Sequence, residues 1–439
     1  MAVGIVLFTR DLRVHDNPAL SAAWEECEHV VPLFVVDDAI LKRFGAPNRV
    51  AFLLDSLRDL DRSLRERGGA LVVRRGDVVS EVAALGVQRV YLAEDVSTYA
   101  RGRERALRDA GLDVRTHAGL TVVPPGEVVP SGSDAFAVFT PYWNRWRDAP
   151  RRPVVEAPST IRMPDGIEPG VVPELDRGPT SPAVAPGGET EARRRLDAWV
   201  AGGLGAYGTG RDDLADDSTS RLSAYLRFGC ISPLEVVERV LGRPGGEEFV
   251  RQLCWRDFHY QLFAARPALA REDMRPRGDR WCDDDQALAA WKDGRTGYPL
   301  VDAGMRQLRE EGFMHNRARL VTASFLTKHL YVDWRAGADH YASLLVDADI
   351  PNNVGNWQWV AGTGADTRPN RVFNPVRQAE RYDPTGDYVR RWVPELAELD
   401  GRSLREPWTL GLLGAPGYPP PIVEHGEAVA RFRAARAVS

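Results

Sequence analysis

Strand-like and helix-like segments alternate through the first 125 residues and then the alternation stops, and this constrains the fold more than any other feature of the chain. Residues 3–8 (Val-Gly-Ile-Val-Leu-Phe) form a short apolar run, followed by the charged stretch Thr9-Arg10-Asp11-Leu12-Arg13. A second run extends from His29 to Val36 and ends in Asp37-Asp38. Residues 50–67 read as an amphipathic helix, with Phe52, Leu53, Leu57, Leu60 and Leu64 near helical spacing. Gly68-Gly69 stops it, and Ala70–Val73 begins the next strand. A strand at 88–92, a helix at 100–110 and a strand at 112–116 follow. Short apolar runs joined by helices predict a parallel, doubly wound, Rossmann-like α/β sheet with helices on both faces. No G-x-G-x-x-G follows the first strand, which argues against an ordinary dinucleotide dehydrogenase.

From 124 to 190 the chain is rich in proline, glycine and serine with little periodicity, as expected of a long connection. Beyond 190 helical patterns take over, at 189–201, 232–241, 246–264, 285–293, 298–312, 316–330 and 338–347. The expected organisation is an α/β domain over 1–125, an interdomain connection over 126–190, and an all-α domain over 191–439. A length of 439 residues suits two domains.

The net charge of -5 excludes nucleic-acid binding by overall charge, though not through a local basic cleft. Cys27, Cys230, Cys254 and Cys282 are widely spaced without a C-x-x-C pair, which argues against zinc and against a disulfide framework. No metal site is expected. The opening residues lack a signal-peptide pattern and no uncharged run reaches the ~18 residues of a membrane span. The expectation is a monomer in a reducing cytoplasm, without a membrane.

Six of the twelve tryptophans fall between residues 255 and 359, the last two in Asn353-Val354-Gly355-Asn356-Trp357-Gln358-Trp359. Residues two apart in a helix point about 200° from each other, so one ring can face a buried cofactor while the other lines a cavity. Indole also stacks on nucleobases and can relay a single electron. The hydroxyl cluster Ser218-Thr219-Ser220 to Ser223 can donate to a phosphate, its plain alternative being a helix cap. Helical spacing puts Gln252, Trp255, Arg256 and His259 on one face, a mixture suited to a wet cavity.

Several short motifs, in order, resemble the DNA photolyase/cryptochrome flavoprotein family over essentially the whole chain. They are Arg10-Asp11-Leu12-Arg13-x-x-Asp16-Asn17, Thr219-Ser220-x-Leu222-Ser223, Trp255-Arg256-Asp257-Phe258, Thr296-Gly297-Tyr298-Pro299, Met314-His315-Asn316-Arg317 and Trp357-Gln358-Trp359. The resemblance implies FAD in the helical domain. It assigns Tyr207, Thr219, Ser220, Arg221, Leu222 and Ser223 to the phosphates and ribityl chain, with Phe249 and Arg256 added to the same site. It assigns Asn316, Arg319, Asp347 and Asp349 to the ribityl chain, isoalloxazine and adenine, and Asn353 to flavin N5. Arg319 and Asp347 can pair, which lowers the cost of burying either charge. Trp281, Trp334 and Trp357 match the family's three-ring electron relay. Trp255 and Trp359 match the walls around a flipped-out pyrimidine dimer; Arg211, Gln252 and Asn316 match DNA-contacting positions. Arg368, Arg371 and Arg377 can neutralise phosphates, or simply face solvent.

Two departures stand out. Gln252 replaces the glutamate usual in cyclobutane-dimer photolyases, and resembles (6-4) photolyases and animal cryptochromes instead. Yet the histidine pair of those proteins is replaced by Asn316 and Leu320, which leaves the (6-4) chemistry without a proton donor; His315 belongs to the ordinary pattern. The expected function is light-driven repair of cyclobutane pyrimidine dimers in DNA, a carbon–carbon lyase reaction, with a blue-light photoreceptor or a (6-4) photolyase as alternatives. Asp95-Val96-Ser97-Thr98-Tyr99-Ala100-Arg101-Gly102-Arg103, with Arg227 in reach, resembles the antenna site of an 8-hydroxy-deazaflavin more than that of a folate.

Overall fold

The computed structural model describes residues 2–176, 178–216, 218–413 and 415–437. Among them five strands form a parallel sheet: β1 (Val3–Leu7), β2 (His29–Val36), β3 (Val72–Arg75), β4 (Arg89–Ala93) and β5 (Asp113–His117), in the order β3-β2-β1-β4-β5. Parallel neighbours need crossover connections, and the intervening helices supply them. Register aligns Ile5 with Val31 and Val90, and Leu7 with Leu33 and Leu92. These side chains share one apolar core with Val78 and Val82 of the helix Val78–Ala84 and Leu107 of the helix Thr98–Asp109. On the opposite face the helix Pro18–Glu26 approaches so closely that a Cβ at Gly4 would lie 2.8 Å from Cys27 Sγ. Helices therefore cover both faces, as the alternation predicts.

The stretch 126–190 differs from its expected form, because it contains the helix Phe139–Trp146. Phe139, Tyr142, Trp143 and Trp146 recur at helical spacing and are all buried, a short signal hidden by the surrounding prolines and glycines. The boundary expected near 190 also differs. One compact unit comprises residues 1–180, 185–207 and 220–267, and the other 181–184, 208–219 and 268–439. The physical reason is a set of buried polar ties within the first unit. Asp257, on the helix Gly246–Ala265, accepts from Val122 N, Val123 N and Trp146 Nε1 at 2.9–3.1 Å. Gln261 exchanges two 2.9 Å bonds with the Phe136 backbone. Glu189 accepts from Val14 N and His15 N. The change at 190 marks a switch from strand to helix, and not a break in packing.

In the second unit the helix expected over 316–330 is α-helical over Asn316–Ser324 and becomes a π-helical turn over Phe325–Leu330. The helix expected at 338–347 starts earlier, at Trp334, where Asp333 caps Arg335 N, and ends at Leu344.

Candidate functional site

The helix Ile350–Ala361 opens on Pro351, which suits a first turn, and ends at Gly362 with φ +82°. Asn353 and Trp357 are four residues apart and share a face. Trp357 is buried while Trp359 is half-exposed, the opposed orientation that their spacing predicts. The Trp357 indole lies 4.9 Å from the Tyr341 ring and 6.1 Å from Trp291, centroid to centroid. It also covers Gly337 closely enough that a Cβ there would come within 2.2 Å of the ring. Gly337 is three residues beyond Trp334 on the helix Trp334–Leu344, so Trp357 rests against the face of that helix from which Trp334 projects. Trp334 is buried and donates from Nε1 to Asp273 at 2.8 Å. Trp281 is half-buried and packs on Tyr331 at 5.0 Å. Exposure thus falls from Trp281 to Trp334 and Trp357. Trp291 and Tyr341 were not singled out from the sequence; only their contacts with Trp357 reveal them.

Asn353 Nδ2 donates to Ala338 O at 3.1 Å, which leaves its side-chain oxygen as the acceptor. The Arg319 guanidinium donates to both Asp347 oxygens at 3.1 and 2.8 Å, the bidentate pair expected from their charges. Asp349 is buried at the start of the tryptophan helix and accepts from Asn352. Asn316 is exposed in the first turn of its helix, which His315 caps through Nδ1 to Arg317 N. Arg317 pairs with Asp212 at 2.6 Å and lies over the Tyr382 ring at 4.2 Å. Arg211 and Thr219 are half-buried. Trp359 lies beneath Arg371, whose guanidinium carbon is 5.2 Å from the ring centroid.

In the first unit Tyr207, Phe249 and Trp199 form one aromatic cluster, with centroids 4.3–5.6 Å apart. Ser220 is half-buried and its hydroxyl accepts from Leu222 N. Arg221 has φ +49°, a sparsely populated conformation for a residue with a Cβ. Leu222 is buried and Ser223 exposed, and the short helix that Ser223 opens has no side-chain cap. On the helix Gly246–Ala265, Gln252 donates one turn back to Glu248 O at 3.3 Å. Trp255 stacks flat on Phe139, and Arg251 lies over both Phe139 and Trp143. Arg256 points elsewhere: its guanidinium donates to Leu120 O, Leu226 O and the Tyr260 hydroxyl. His259 is buried beside Trp255, so that face of the helix is only partly wet. Arg10 donates to Asp95 and to the Tyr260 hydroxyl.

Among the described residues no cluster of His, Cys, Asp and Glu could hold a metal, and no helix is long and apolar enough to cross a membrane.

Two family models match. Residues 4–159 match DNA photolyase, and residues 249–437 match the FAD binding domain of DNA photolyase. A deoxyribodipyrimidine photo-lyase of Streptomyces griseus is 54% identical, with 99% of each chain covered. One of Escherichia coli K12 is 36% identical, again with 99% of each covered. Among solved structures, a bacterial class III photolyase from Agrobacterium tumefaciens superposes with a TM-score of 0.93 at 35% identity, covering 100% of this chain and 98% of that one. An archaeal photolyase from Sulfolobus tokodaii, solved with two FAD molecules, has a TM-score of 0.89 at 31% identity over 100% of both chains.

Proposed function

We propose that this chain, which belongs to the DNA photolyase family, repairs cyclobutane pyrimidine dimers in DNA by light-driven electron transfer from reduced FAD. The observation that carries the reading is the helix Ile350–Ala361. It presents Asn353 and buried Trp357 on one side, and half-exposed Trp359 under a cation on the other. A redox group and a flat, extruded base need those two surfaces respectively.

The residues fit a flavin. Asn353 has its amide nitrogen engaged by Ala338, so its oxygen is left to accept from flavin N5–H without adding negative charge. Trp357 Nε1 is buried without a hydrogen-bond partner among the described residues, as expected where a bound group completes the site. Bound FAD in its reduced form supplies the electron that opens the dimer and takes it back afterwards. Everything else falls to the chain. The match to the family supports Tyr207, Thr219, Ser220, Arg221, Leu222, Ser223 and Phe249 for the phosphates and ribityl chain. It likewise supports Arg319, held by Asp347, with Asn316 and Asp349, for polar contacts to the same cofactor. Arg256 serves this site by tying its helix to the Leu120 and Leu226 carbonyls and bonding Tyr260 one turn on, since its donors are spent there. Trp255 and Trp359 each offer a flat apolar face of the kind an extruded base needs, and the match to the family supports Arg211, Gln252 and Asn316 as DNA contacts. Trp281, Trp334 and Trp357 relay electrons inward from solvent, a direction supported by the partial exposure of Trp281 beside the burial of Trp334 and Trp357.

The segment Asp95–Arg103, by its resemblance to a deazaflavin antenna site, supports an 8-hydroxy-deazaflavin as a second chromophore beside FAD. Arg10 orders Asp95 and Tyr260 there. The protein acts as a cytoplasmic monomer. The deciding assay is blue-light repair by the reduced protein of an oligonucleotide with a single thymine dimer, beside a (6-4) oligonucleotide. Repair of the first alone is expected. Repair of neither, with flavin reduced and DNA bound, would move the assignment to a photoreceptor, and an absorption band beyond those of flavin tests the antenna.

A further inference from the structure

Lys328 is almost fully buried, with 2% of its surface exposed, in the π-helical turn Phe325–Leu330. Single π-helical turns recur at functional positions because the extra residue redirects side chains. Here the redirected ammonium donates to two backbone carbonyls of one loop, Pro369 O at 3.0 Å and Arg371 O at 2.5 Å. The same loop is pressed onto the end of the tryptophan helix, since a Cβ at Gly362 would lie 2.4 Å from Pro369 O. Asp366 holds it from within by accepting from Arg368 N. Arg371 is exposed and lies 4.9 Å from Phe373 and 5.2 Å from Trp359. A buried lysine costs desolvation, and two carbonyls with the Phe432 ring 5.5 Å from Nζ are only a modest return for it. A neutral side chain could have filled the same space.

We propose that Lys328 is a positioning residue for DNA: by gripping the Pro369–Arg371 segment it sets the Arg371 guanidinium over Trp359, where it meets a phosphate flanking the flipped lesion. This rests on the reading of Trp359 as a wall of the lesion pocket. Lys328 touches neither the lesion nor the flavin; its effect passes through Arg371 and vanishes when Arg371 is gone.

The experiment uses the full chain with FAD bound, in the dark. It measures affinity for a duplex carrying one thymine dimer, and for the undamaged duplex, across a potassium chloride series. Lys328→Met should weaken dimer binding by roughly tenfold, the scale of one charge-assisted contact. It should also make the slope of log K against log salt less negative by about 0.9, the signature of one lost phosphate contact. Arg371→Gln should do the same, and the double variant should bind no more weakly than Arg371→Gln alone. Additive losses, or a Lys328→Met protein with an unchanged salt slope, would overturn the proposal, because a merely structural staple predicts both.

If Lys328→Met fails to retain flavin or to melt cooperatively, pH decides with the wild type and Arg371→Gln alone. Burial lowers the Lys328 pKa to about 7, helped by Arg436 and Arg371 and opposed by Asp366 and Asp279, which face it from the C-terminal helix, the loop and the 271–282 segment. Loss of the charge weakens both carbonyl bonds. Wild-type affinity for dimer DNA should therefore fall between pH 6 and 8.5, and that step should be absent in Arg371→Gln. Parallel profiles would overturn the proposal. A wild type that binds damaged and undamaged DNA equally would instead refute the repair reading itself.

Discussion

The indole of Trp255 and the phenyl ring of Phe139 lie face to face, 3.7 Å between centroids and 5° between planes. Phe139 thus backs the wall that the lesion is expected to meet, from a helix inside the proline-rich stretch. An aromatic pair is worth about 0.5–1.5 kcal/mol beyond its buried area. Phe139→Leu should lower unfolding stability by about 1–2 kcal/mol and weaken binding of thymine-dimer DNA by about fivefold, with flavin content retained. Denaturant melts and anisotropy titrations check both. Unchanged lesion affinity would mean that Trp255 does not need its support.

Trp334→Phe should block light-driven reduction of oxidised FAD, because the middle ring of the relay would become too hard to oxidise. The same variant, chemically reduced beforehand, should still repair, since repair draws on the reduced flavin and not on the relay. Flash photolysis with and without an external reductant separates the two steps. Photoreduction at the wild-type rate would remove Trp334 from the relay.

Gln252 spends its amide N–H on Glu248 O, one turn back on its own helix. It can bond a thymine carbonyl, but it has no proton to give to an electron-rich dimer. Gln252→Glu should raise the repair quantum yield by up to about fivefold, the scale of a hydrogen bond worth ~1 kcal/mol in competition with electron return. The check is repair per absorbed photon on the thymine-dimer oligonucleotide. A lower yield would show that the amide is the better partner here.

Burial pushes the Asp257 carboxyl up to about 6 from an ordinary 3.8, against the pull of Arg256 and the bonds from Val123 N, Trp146 and Val122 N. A carboxyl with a raised folded-state pKa contributes stability that is present below about 3.8 and lost as pH rises through about 6. Asp257→Asn stays neutral and lacks this loss. The Tm advantage of wild type over the variant should therefore be largest near pH 4 and shrink toward pH 7. A gap that widens over that range would reverse the assigned sign.

Much of this was legible in order along the chain. The runs 3–8, 29–36 and 88–92 are strands because apolar residues cluster over strand length between charged or turn residues, a local signal. The opposed burial of Trp357 and Trp359 follows from helical geometry alone. The Arg319–Asp347 pair was readable from charge complementarity. Arg256 was not, because its partners Leu120 O and Leu226 O are backbone carbonyls, which every residue carries and no sequence pattern distinguishes.

The sequence by itself determined the element types, the switch from strands to helices near 190, and the residue kinds available for flavin, lesion and relay. Those properties depend on spacing and composition within a few turns of chain. Only the tertiary structure decided that the helix Gly246–Ala265 packs in the same unit as the sheet, through Asp257 and Gln261. Only it showed that Phe139 backs Trp255, that Trp291 and Tyr341 surround Trp357, and that Lys328 grips the loop beneath Arg371. Each of these joins residues far apart in the chain. Such contacts are chosen by shape, burial and the need to satisfy buried donors, which emerge only when the whole chain is packed.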